Sequence, residues 1–142
     1  MRAATVFLCL IPLCLEVSSL AAQDEAAMQD TTEQAVALSV AEAVITSNVV
    51  DRLPADTLTA VAADAGQVYC WTRITGVSGE IEIIHVWYKG EEEVARIPLR
   101  VAGDNWRTWS SKKIDPTWTG AWRVEVIGPD GTLLKTVSFA VS

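Results

Sequence analysis

Ala121-Trp122-Arg123-Val124-Glu125-Val126, then Gly128-Pro129-Asp130-Gly131, then Leu133-Leu134-Lys135-Thr136-Val137-Ser138-Phe139-Ala140-Val141: this stretch decides the fold class. Trp122, Val124 and Val126 alternate with Ala121, Arg123 and Glu125, and a period of two belongs to a strand with one buried face. Residues 128–131 carry turn chemistry, since Pro129 fixes φ and the glycines permit φ > 0. Beyond the turn, Leu133, Val137, Phe139 and Val141 share one parity, with Lys135 among them. The reading is a β-hairpin.

The same period extends upstream. Ala95, Ile97, Leu99 and Val101 alternate with Val94, Arg96, Pro98 and Arg100. Pro98 cannot donate to a ladder and the arginines blunt association, so an edge strand is predicted. Lys89-Gly90-Glu91 turns that strand back onto Glu80–Tyr88. There Ile83, Ile84, Val86, Trp87 and Tyr88 are apolar on both faces, as in a central strand covered twice. Further strands are predicted near 36–47, 67–75 and 105–112, with a weaker one near 57–62. No amphipathic helical stretch of useful length and no internal repeat is found. The expected domain, 35–142, is a mainly antiparallel all-β sandwich, immunoglobulin-like in general architecture, with about seven to eight strands.

Ahead of it lie two other segments. Met1–Arg2 give a short positive start, Ala3 to Leu15 form an apolar run of thirteen residues, and Ser19-Leu20-Ala21 places small residues at the −3 and −1 positions of a cleavage site. That pattern predicts a secretory signal peptide over 1–21, hence an exported, periplasmic or secreted protein. A membrane anchor would need about 20 apolar residues, and Leu precedes both Cys9 and Cys14, which argues against lipidation. Residues 22–34 carry four acids, no base and no aromatic, and read as an acidic linker.

Composition narrows function mostly by exclusion. A chain of 142 residues, half hydrophobic and one-fifth charged, fits one globular domain with a tail. A formal charge of −7 disfavours non-specific nucleic-acid binding. One His and three Cys leave too few ligands for a His/Cys metal centre, and no cofactor is expected. Cleavage after Ala21 would leave Cys70 as the single thiol, and its parity with Val68 and Ile74 predicts a packed, inert side chain.

His85-Val86-Trp87-Tyr88, Arg107-Thr108-Trp109-Ser110-Ser111-Lys112-Lys113, Pro116–Val126 and, upstream, Asp51-Arg52-Leu53-Pro54 together resemble a bacterial family known as the domain of unknown function numbered 2914. The similarity spans roughly 40 to 142. It implies a compact domain at the C-terminal end of exported or envelope-associated proteins, and it implies no reaction.

The side chains available for chemistry are few. His85, the only imidazole, stands between Ile83 and Trp87 on a strand and could serve Ser110 or Ser111 as a base, or stand at an interface. Glu80 with Glu82, and the run Glu91-Glu92-Glu93, read as solvated charge rather than as a carboxylate pair. Tryptophan is the distinctive feature, with six between 71 and 122. Arg107, Trp109, Ser111 and Lys113 share a strand face and form the first binding candidate. Tyr69, Trp71 and Arg73 share another and form the second. The leading expectation is a non-catalytic exported module that binds a glycan or protein partner in the bacterial envelope. An accessory subunit of an envelope complex, with no small ligand, is the alternative. A hydrolase using His85 is a third reading.

Overall fold

A computed structural model of the chain describes residues 37–142. The predicted signal peptide and acidic linker lie outside the described residues. Ten strands run in order: β1 (Ser39–Thr46), β2 (Val49–Val50), β3 (Leu53–Pro54), β4 (Ala60–Val61), β5 (Gln67–Thr75), β6 (Ile81–Lys89), β7 (Glu92–Val101), β8 (Trp106–Lys113), β9 (Gly120–Ile127) and β10 (Leu133–Val141). No helix occurs among the described residues.

Two sheets are built from the seven long strands. One has the order β1-β5-β8 and the other β4-β10-β9-β6-β7, while β2 and β3 form a small separate hairpin. All pairings are antiparallel except β4 on β10. In chain order, the first, second and fifth long strands make one sheet, and the third, fourth, sixth and seventh make the other. This is an immunoglobulin-like sandwich whose fourth strand pairs with the third instead of the fifth. β6 is central and β7, with Pro98, is an edge strand, as the apolar pattern predicts.

The inner parity of each strand supplies the core. Trp122 stacks on Phe139 with ring centroids 5.8 Å apart, and Trp87 meets Phe139 edge-on at 6.2 Å. Cys70, Val124 and Val141 pack with them, while Ile74, Ile83, Val101 and Val126 form a second cluster. One expected face is corrected at the start of β10. A register shift between Leu133 and Lys135 leaves Leu133 51% exposed and turns Leu134 onto the second cluster instead. The entry to β1 is fixed by a glycine. Gly76 has φ +81°, and a Cβ there would stand 2.2 Å from the Ala37 carbonyl oxygen, so only Gly lets β1 approach.

Candidate functional site

The register of β5 on β8 merges the two candidate groups into one surface. Tyr69 lies opposite Ser111, Trp71 opposite Trp109, Arg73 opposite Arg107, and Gln67 opposite Lys113. Successive side chains on a strand alternate between faces. Val68, Cys70, Thr72 and Ile74 take the inner face of β5 and Ser110 that of β8, so the paired residues share the outer face.

Electrostatics on this face are uneven. Arg73 reaches Asn105 Oδ1 at 3.2 Å and Glu42 at 3.7 Å. Among the described residues, Arg107 and Lys113 make no ion pair. Gln67 donates to the Ser111 hydroxyl at 2.9 Å, which fixes that group beside Tyr69. Trp109 and Tyr69 are half-buried, each leaving part of its ring to solvent. Trp106, three residues before Trp109, packs inward on the second core cluster.

Trp71 departs from the expectation of an exposed plane. It is 2% exposed because the β2–β3 hairpin folds over it, and its indole N–H donates to the Arg52 carbonyl at 3.0 Å. The Arg52 guanidinium then donates to the Arg107 carbonyl at 3.3 Å and lies 5.6 Å from the centre of the Trp106 ring. At the hairpin tip Asp51 and Arg52 have φ of 53° and 63°. Such left-handed geometry costs non-Gly residues roughly 1–2 kcal/mol each, so tertiary contacts must hold the tip in place. Its base is clamped by Asp56, whose carboxylate accepts from the Ser47 hydroxyl at 2.6 Å, the Thr46 hydroxyl at 2.7 Å and the Ser47 amide at 2.8 Å. These bonds, the Ser47 hydroxyl first, hold the Asp56 carboxyl below its ordinary range. Val50 and Leu53 flank the tip and are 52% and 46% exposed. This cap was missed from sequence, where Asp51-Arg52 carries none of the glycine that usually marks a tight hairpin.

His85 is not part of that surface. It sits between the sheets with no exposed area, so it cannot touch a partner. Thr72 Oγ1 donates to the Thr108 carbonyl at 3.1 Å and presents a lone pair to His85 Nε2 at 3.4 Å, which places the imidazole proton on Nε2. Nδ1 then accepts from the Ser110 hydroxyl at 2.7 Å, and that oxygen accepts the Trp87 indole N–H at 3.0 Å. No buried side-chain polar atom is left without a partner among the described residues. Burial pushes the His85 pKa down to about 3. A His–Ser pair with the spacing of a nucleophile and its base is thus sealed in the core, out of reach of any substrate.

The acidic candidates are dispersed. Glu80 pairs with Arg100 at 2.6 Å, and Glu91 at the β6–β7 turn and Glu92 and Glu93 at the start of β7 are exposed. Near that turn, an open depression of about 380 Å³ is lined by Thr59, Glu91, Ala121, Arg123, Ser138 and Ala140. Arg123 there is already committed to Glu125 at 3.0 Å, to the Gly90 carbonyl at 2.7 Å and to the Tyr88 ring at 4.0 Å. Among the described residues, no three His, Cys, Asp or Glu side chains gather as a metal site would require.

No curated protein matches the sequence. Residues 80–141 match the family model described as "Protein of unknown function (DUF2914)". The matched stretch takes in His85–Tyr88 and Arg107–Val126 but leaves out Asp51–Pro54, so it is shorter than the span of roughly 40 to 142 expected from the motifs. The stretch from β6 to the end of β10 is thus similar to the DUF2914 family.

Proposed function

We propose that this chain is an exported, non-catalytic binding module of the bacterial envelope. It meets its partner, a glycan or a protein, with the outer face of the β1-β5-β8 sheet. One observation carries the reading: Arg73 and Arg107 stand directly opposite each other, next to the half-buried ring of Trp109. Like charges directly opposite on a strand pair destabilise the sheet. Local departures of this kind from the rules of folding are characteristic of functional surfaces. An aromatic plane flanked by guanidinium groups suits stacking on a sugar ring or contact with an acidic chain. The enclosure of His85 and Ser110 in the core favours binding over hydrolysis. Export rests on the apolar run Ala3–Leu15 and the small residues at Ser19 and Ala21.

The exposed Val50 and Leu53 at the hairpin tip favour, as a second reading, an accessory subunit seated against another protein.

Protein recovered from the envelope fraction tests both parts of the proposal. Its intact mass should correspond to a chain beginning at Ala22, and it should bring down a partner that Arg107→Ala loses. A full-length mass would overturn export. Partner retention by Arg107→Ala together with Trp109→Ala would overturn the face.

A further inference from the structure

Among the described residues, the two main sheets end in four edge strands, and three of these are blunted. β4 is two residues long, and β7 carries Pro98 among charged residues. β1 has a register shift between Val40 and Glu42 and is bridged to Leu58 at Ile45. The fourth edge, β8, has no proline, and its ladder with β5 runs from Trp106 to Lys113 without a shift. One bond fixes which way its backbone groups point. Ile114 donates its amide to the Gly66 carbonyl at 2.9 Å, and in an antiparallel ladder residues alternately face the partner strand and turn away from it. Lys112, Ser110 and Thr108 therefore direct N–H and C=O at β5, whereas Lys113, Ser111, Trp109 and Arg107 direct theirs outward. The Arg107 carbonyl agrees with this parity, because it accepts from Arg52, whose guanidinium rounds the edge to cover Trp106. Past that point, the outward N–H and C=O groups of Trp109, Ser111 and Lys113 carry no hydrogen bond among the described residues.

We propose that the free edge of β8 takes an added antiparallel strand from a protein partner, and that this strand is acidic. This deepens the binding role proposed above and rests on it in seating the partner beside Trp109. It names a polypeptide, since a glycan completes no ladder. An added strand is held by main-chain hydrogen bonds and selected by alternate side chains. On β8 the alternates of the outer face are Arg107, Trp109, Ser111 and Lys113. Charge selects the occupant. β8 carries Arg107, Lys112 and Lys113 and no acid, and none of the three makes an ion pair among the described residues. Opposite charges on paired strands stabilise and like charges destabilise. A second copy of this chain is therefore a poor fit, because two β8 edges paired about Ser110 would set Arg107 against Lys113. The strand that fits places acids near Arg107 and Lys113 and an apolar side chain beside the half-buried ring of Trp109. The cations that keep β8 from pairing with itself thus choose its partner.

Amide hydrogen exchange read residue by residue tests this, on the purified protein with a synthetic peptide of about eight residues alternating Glu with Val. In the free protein the amides of Trp109, Ser111 and Lys113 should exchange at least about tenfold faster than those of Thr108, Ser110 and Lys112. The peptide should slow the first set, and its counterpart with Lys in place of Glu should not. Ser111→Pro removes one outward N–H and no bond to β5, so it should weaken peptide binding about tenfold or more. Ser111→Ala keeps that N–H and should bind as the wild type does. Four results would each overturn the assignment: outward amides already protected in the free protein, no protection by the Glu peptide, equal protection by the Lys peptide, or undiminished binding by folded Ser111→Pro. If Ser111→Pro does not fold, the exchange results decide alone. An envelope partner lost from Trp109→Ala but kept by Ser111→Pro would sink the added strand and leave the outer face standing. A partner kept by both would sink both.

Discussion

Trp109 stands directly opposite Trp71 on the β5–β8 pair, and only one of the two is sealed. The Arg52 carbonyl takes the indole proton of Trp71 at 3.0 Å and brings the hairpin down over that ring, while Trp109 on the neighbouring edge strand keeps part of its plane in solvent. The asymmetry divides the pair into a structural member and an available one. It explains how a small sandwich accommodates six tryptophans. Trp71, Trp87 and Trp122 are buried, and Trp106, Trp109 and Trp118 are partly covered.

Acid should loosen the fold through His85. The folded protein keeps this imidazole neutral down to about pH 3, whereas an unfolded chain protonates it near its ordinary 6.5. Below 6.5 the unfolded state binds the extra proton, so stability falls as pH drops from 6.5 towards 3, by at most about 1.4 kcal/mol per pH unit. Asp56, Asp115, Asp130 and Glu80 are held below their ordinary values of 3.8 and 4.5, so they add their own losses only at lower pH. Denaturant midpoints between pH 6.5 and 4.5 should therefore decline through His85. A flat profile there would mean that the imidazole is hydrated.

Trp122 is the keystone of the larger core cluster. Its ring stacks on Phe139 and tilts against Trp118 at 6.0 Å, and its indole N–H donates to the Trp118 carbonyl at 3.1 Å. Trp122→Ala removes a large buried ring and leaves a cavity, at a cost of about 3–5 kcal/mol. Against the roughly 5–15 kcal/mol available to a small domain, that should unfold or nearly unfold the protein. Urea denaturation followed by circular dichroism measures it, and an unchanged midpoint would invert the assigned faces of β9.

Cys70 should behave as a core methyl-sized group with no redox role. It is fully buried, and desolvation pushes its thiol pKa up to about 12. A thiol reagent applied to a chain lacking residues 1–21 should label native protein slowly and denatured protein at once. Rapid native labelling would place Cys70 in a mobile or accessible part of β5.

Legibility followed periodicity. β5, β7 and β9 alternate in polarity and β6 is a continuous apolar run, so their approximate bounds and the edge position of β7 could be read from residue order alone. The parity of Tyr69, Trp71 and Arg73, and of Arg107, Trp109, Ser111 and Lys113, was equally plain. What residue order could not supply was the pairing of β5 with β8, a contact between distant segments that turns two candidate groups into one face. Leu133 was misplaced because a bulge shifts parity without a residue signature. The β2–β3 cap was invisible for a related reason. Asp51 and Arg52 adopt left-handed backbone only because Trp71, Trp106 and the Arg107 carbonyl hold the tip.

The most direct test is Trp109→Ala, measured for stability and partner retention on the same preparation. A partly exposed position usually changes stability by less than about 0.5 kcal/mol, whereas a binding hot spot costs about 2 kcal/mol or more in affinity. The variant should keep the wild-type denaturation midpoint and lose its envelope partner at least about thirtyfold in affinity, the equivalent of that binding energy. A collapsed midpoint, or an intact fold that holds its partner as tightly as before, would contradict the assignment of the β1-β5-β8 outer face as the binding surface.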